Sequence, residues 1–127
     1  MNKLAAASVM LALTLAPVPV FAHGEPPAAT HGGLVQEAGE MYLELVVKGT
    51  DVTVYVLDEG RKPVPASQIS GTATVLAGGK SHKVELSAAE ANSVRGTLPV
   101  PASGRIVATV ALKVGGKTAS ARFMPAA

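Results

Sequence analysis

Three histidines, His23, His31 and His82, are the residues of this chain best suited to chemistry. Cleavage after Ala22 would make His23 the first residue and place a free amine beside its imidazole. The amine and Nδ1 of one residue close a small chelate ring, and nitrogen donors in tetragonal geometry suit Cu(II). His31 lies eight positions on and would complete a three-nitrogen site. Gly32 and Gly33 follow it and let backbone approach closely. His82 shares the strand face of Val84 and Leu86, where a histidine is more often a partly buried side chain than a ligand. The candidate metal ligands are therefore His23, His31 and His82. Copper is favoured, and zinc, nickel and cobalt also accept imidazole.

Softer and harder donors are few. Met41 and Met124 carry thioethers that suit Cu(I), but Met41 continues an apolar strand face and Met124 is a lone methionine beyond Phe123. Glu25, Glu37 and Glu40 offer oxygens, for which solvation at the surface is a sufficient role. The chain has no cysteine, which removes disulfides, cysteine-rich zinc sites and a lipid-modified cysteine.

Other chemistries lack their residues. There is no Gly-x-Ser-x-Gly elbow, and no carboxylate pair can be assigned to a cleft. Gly78-Gly79-Lys80-Ser81 lacks the first glycine of a phosphate loop and sits between strands instead of opening a helix. Neither an enzyme nor a catalytic residue is expected. The formal charge is only +2, and removal of Lys3 with a leader brings it closer to neutrality. With two Phe, two Tyr, no Trp and no basic run, nucleic acid is not an expected partner.

The elements that would position the histidines begin with a leader. Met1-Asn2-Lys3 is a positive head, Leu4 to Leu15 an apolar run, and Val20-Phe21-Ala22 a cleavage site with small residues at the recognition positions, so residues 1–22 are expected to be a signal peptide. The apolar run is shorter than the roughly 20 residues that span a bilayer, and no later segment approaches that length. The protein is expected in the periplasm, soluble after cleavage and without stable membrane insertion. Residues 23–39, rich in Gly, Pro, Ala and His, are expected to form a flexible arm.

From residue 40 to 127 the period is two. Met41-Leu43-Leu45-Val47 alternates with Tyr42-Glu44-Val46-Lys48, and Val52-Val54-Val56 with Thr53-Tyr55-Leu57. Further strands are expected at Thr72–Ala77, His82–Leu86, Ser93–Leu98, Arg105–Val114 and Thr118–Met124. Gly49-Thr50-Asp51, Gly78-Gly79 and Gly115-Gly116 mark hairpins. Pro63 and Pro65 confine their stretch to an edge or loop, and Ser87–Asn92 has the composition of a single helical turn. The expected fold is all-β, an antiparallel immunoglobulin-like sandwich of about seven short strands. Its many Val and Ala and few aromatic residues predict a core of small side chains.

His31-Gly32-Gly33-Leu34, Glu37, Gly39 and Leu43-Glu44-Leu45-Val46 resemble the N-terminal β-domain of periplasmic adaptor proteins of heavy-metal efflux pumps of the resistance-nodulation-division class, and small stand-alone periplasmic relatives of it. The similarity continues through Val54-Tyr55-Val56, Asp58…Lys62-Pro63-Val64, Gly96, the strand at 105–114 and Arg122-Phe123. The chain ends where such adaptors continue into hairpin and barrel domains, so the resemblance implies a stand-alone domain associated with metal homeostasis. For residues it implies only His31. The resulting expectation is a periplasmic accessory protein that binds or chaperones a divalent metal or accompanies an efflux-pump component. The rival expectation is a metal-free interaction module that docks to an exporter or envelope partner through a strand edge or the arm.

Overall fold

The computed structural model describes residues Glu25–Met124. The proposed leader, His23 and the last three residues lie outside the described residues. Eight strands make up the fold: β1 (Leu34–Ala38), β2 (Met41–Lys48), β3 (Asp51–Leu57), β4 (Ile69–Ala77), β5 (Lys80–Ala88), β6 (Ser93–Thr97), β7 (Val107–Val114) and β8 (Lys117–Phe123). All neighbours pair antiparallel, in the spatial order β1-β2-β3-β6-β5-β4-β7-β8. The all-β expectation therefore holds, but the strands form one nearly closed sheet in place of two separate facing sheets. The link that joins the halves is short: β5 meets β6 only at Ser87↔Arg95 and Ala88↔Val94.

The alternation read from the sequence sets the inner face. Leu43 and Leu45 of β2, Val52, Val54 and Val56 of β3, and Val75, Val84, Val110 and Leu112 are all buried in one core that Phe123 completes. Aliphatic side chains of Val, Ala and Leu dominate it, as the composition predicts. Burying this apolar surface is the main term that holds the sheet closed. The Gly78-Gly79 and Gly115-Gly116 turns have positive φ at both residues, the geometry that matches the right-handed twist of paired strands.

Two segments differ from the expectation. The last part of the proposed arm is β1, which pairs with β2 from Leu34↔Leu45 to Ala38↔Met41. It is a half-exposed strand at one end of the sheet order. Ser87–Asn92 is not a helical turn: Ser87 and Ala88 finish β5, and Ala91 carries a positive φ in the turn to β6. There the Ser93 hydroxyl donates to the Glu90 carbonyl at 2.6 Å and the Ala89 amide donates to Ser93 O at 2.9 Å. Pairing with β6 thus overrides the local preference of an alanine-rich stretch. The one described helix is a short 3-10 turn, Ala66–Gln68, after Pro65.

β1 and β8, the two ends of the sheet order, lie beside each other without a hydrogen-bonded ladder between them. At one end of this seam Lys117 Nζ stands 3.4 Å from Glu40 Oε2, linking β8 to the β1–β2 turn. Among the described residues no helix is long and apolar enough to cross a membrane.

Candidate functional site

Glu44 is the residue around which the site is built. Its place in β2 has the parity of Tyr42 and Val46, opposite to the core residues Leu43 and Leu45. An alternating strand would leave such a glutamate in water. Instead it is buried, because the segment before β1 folds back over the outside of β2 and β3. Pro27, Ala28, Thr30 and His31 from this segment, with Tyr42, Glu44 and Tyr55 beneath, enclose a small cavity of about 80 Å³.

A buried carboxylate must be matched by donors, and the segment supplies them from its backbone. Glu44 Oε2 accepts from the His31 amide at 2.9 Å and the Gly33 amide at 3.0 Å. Oε1 accepts from the Thr30 amide at 3.2 Å and lies 3.0 Å from His31 Nδ1. Burial alone would raise the Glu44 pKa, but the hydrogen bonds from His31, Gly33 and Thr30 together hold it below the ordinary value. The carboxylate is therefore ionised at neutral pH and can only accept.

That fixes the histidine. Facing an acceptor-only oxygen, Nδ1 carries the proton, so in the neutral ring Nε2 holds the free lone pair. The ring lies flat on Tyr55, with centroids 3.6 Å apart and planes 3° from parallel. Tyr55 is the direct cross-strand partner of Glu44, so the two residues that orient the imidazole are themselves paired. Thr30 Oγ1 lies 3.0 Å from Nδ1. The His31 side chain is 41% exposed, which leaves the ring open to solvent on its other side.

The glycines of His31-Gly32-Gly33 serve this turn. Gly32 has a φ of +74°, and a Cβ on Gly33 would lie 2.2 Å from the Leu45 carbonyl oxygen. Only a residue without a side chain lets the strand entrance approach β2 so closely. Further along the segment, Arg61 donates to the Glu25 carbonyl and stacks 5.4 Å above the Tyr42 ring. The turn that presents Arg61 is closed by Asp58, whose carboxylate accepts from the Lys62 amide at 2.9 Å.

His82 sits elsewhere. Its parity on β5 is that of the core residues Val84 and Leu86, so it faces the inside of the sheet while His31 stacks on the outside. His82 Nε2 is buried without a hydrogen-bond partner. The two described histidines therefore do not converge. Met41 belongs to the core, Met124 is exposed, and Glu40 pairs with Lys117. Among the described residues no group of three or more His, Cys, Asp or Glu is placed to hold a metal ion.

No family model, curated protein or solved structure matches this chain. The geometry alone therefore carries the reading of the site. Sequence reasoning picked out His31 and passed over its partners. Glu44 stood in the quoted Leu43-Glu44-Leu45-Val46 run, and its charge amid strong strand formers was the available signal. Nothing local indicated that Thr30 and Gly33 would cover it.

Proposed function

We propose that the protein is an exported, periplasmic accessory protein of transition-metal homeostasis, with His31 as a metal ligand and His23 as the second. The observation that carries this reading is the 3.0 Å contact of His31 Nδ1 with the Glu44 carboxylate, which leaves Nε2 as the nitrogen free to ligate. A metal-binding histidine usually donates the N–H of its non-ligating ring nitrogen to a carboxylate or carbonyl, which orients the ring and raises its basicity. Glu44 provides that partner here, and Tyr55 holds the ring plane. Further support comes from the segments that carry the resemblance to efflux adaptor domains. His31-Gly32-Gly33, Glu44, Tyr55 and the Asp58–Lys62 turn meet on one outer face of β2 and β3.

In this reading His31 Nε2 supplies one nitrogen, and the amine and imidazole of a processed His23 supply two more. This donor set favours Cu(II), with Zn(II), Ni(II) and Co(II) as competitors. The chain is bound by no catalytic assignment, and its work is to hold or pass on the ion beside an efflux system. The metal-free docking alternative rested on an open strand edge or on the arm. Residues 25–33 are engaged on the outer face of β2 and β3, so that alternative would use an edge left without a ladder, such as Val46–Lys48 of β2.

The test is a calorimetric titration of the processed protein, its N-terminus confirmed by mass spectrometry, with each of the four ions. The expected result is one-to-one binding of one ion that is lost in both His31→Ala and His23→Ala. Binding that is absent, or equal in the wild type and His31→Ala, overturns the assignment.

A further inference from the structure

A larger cleft, of about 630 Å³, opens at the other side of the Gly32-Gly33 turn. Its origin is a mismatch of strand lengths. The β1–β2 ladder begins at Leu34↔Leu45, so Val46, Val47 and Lys48 run past the start of β1 and have no strand on that edge. The loop between β6 and β7 bends over the gap, tied to the β2–β3 turn by the Ala102 amide donating to Gly49 O at 2.8 Å and the Leu98 amide donating to Thr50 O at 2.7 Å. The ion pair of Glu40 and Lys117 lies at the opposite end of the same seam.

Two chemistries meet in this cleft. Leu34, Leu45, Val47, Ile106 and Phe123 give it apolar walls that reach to the core. Lys48 and Arg105 also line it, both exposed, and among the described residues no carboxylate side chain does. Among the described residues neither cation makes an ion pair. The volume falls in the range of small-molecule sites, about 300–1,000 Å³. An apolar pocket with cations of one sign at its mouth is matched by a ligand that is a hydrocarbon at one end and an anion at the other. The hydrocarbon is removed from water against the walls, and the anion stays at the mouth, where its charge remains solvated as it meets Lys48 and Arg105.

We propose that the cleft binds a free single-chain amphipathic anion, an acyl carboxylate. The apolar walls set the preference for a hydrocarbon chain, and the two cations set the preference for a negative head over a neutral or positive one. The site is separate from His31, so it stands or falls independently of the metal reading.

The test titrates the processed protein with decanoate below its micellar range, and with decyltrimethylammonium as the cationic control of equal chain length. Arg105→Glu and Ile106→Ser are compared with the wild type, their folding checked by circular dichroism and the molecular mass of each protein by light scattering. Saturable one-to-one binding of decanoate is expected, weakened about tenfold or more in Arg105→Glu. Ile106→Ser should weaken it too, and the cationic amphiphile should not compete. No binding, or equal binding of both amphiphiles, overturns the proposal. So does a wild-type dimer that Arg105→Glu disperses, because the cleft would then be an interface between two copies.

Discussion

Glu44 shows how one residue converts a strand surface into a structured site. Its two oxygens accept from three backbone amides and face the His31 ring. In Glu44→Gln one acceptor becomes an NH2 group that opposes an amide donor. Leaving a buried donor unmatched costs about 1–3 kcal/mol, and a chemical denaturation curve of the variant should lose that much. His82 predicts the opposite sign. Its buried Nε2 has no partner, so a side chain of similar size without polar atoms relieves a desolvation cost. His82→Leu should therefore raise stability by about 1 kcal/mol, read as a higher denaturant midpoint with an unchanged slope. A His82 that loses stability on this change would mean that its ring is satisfied by an ordered water.

At the scale of elements, the turn before β1 is held by close approach as much as by hydrogen bonds. A methyl group on Gly33 would collide with the Leu45 carbonyl and with Val46 Cγ2. Gly33→Ala should cost about 1–3 kcal/mol, in the range of overpacked sites. The loss should be local: hydrogen exchange is expected to quicken from Thr30 to Val35 and to stay slow in β3 and β7. Equal acceleration throughout would mean that this turn is coupled to the whole sheet. Strands β2 to β8 were legible in the sequence because inward apolar residues, Val and Leu in β2, β3 and β7 and Ala with Phe in β8, alternate with outward-facing ones between glycine-marked turns. β1 was not, because Leu34-Val35-Gln36-Glu37-Ala38 is half-exposed and follows a Gly- and Pro-rich stretch that reads as linker. The site was legible only as far as His31. The burial of Glu44 and the stacking on Tyr55 depend on a segment folding back over two strands, which no local pattern encodes. The closure of the sheet was hidden for the same reason, since it rests on the brief β5–β6 pairing and on the contact of β1 with β8.

For the whole molecule these layers imply an order of loss in acid. Glu44 has its pKa lowered in the folded state, so its interactions contribute stability that is fully present above the ordinary glutamate range. That contribution is lost as the pH falls through the lowered folded value. The core beneath is aliphatic, with Phe123 as its aromatic member, and holds no carboxylate that must be protonated. Acid should therefore release residues 25–33 from the outer face before the sheet opens. The two tyrosines are suited to follow this: Tyr55 stacks on His31, Tyr42 lies under Arg61, and there is no Trp to mask them. Tyrosine fluorescence should change at a higher pH than the far-ultraviolet circular dichroism of the sheet. In Glu44→Gln the fluorescence step should be gone, with the segment already loosened at neutral pH. Coincident transitions in the wild type would show instead that the segment and the sheet unfold as one cooperative unit. The ionised glutamate would then stabilise the entire fold, and His31 would keep its orientation for as long as the sheet survives.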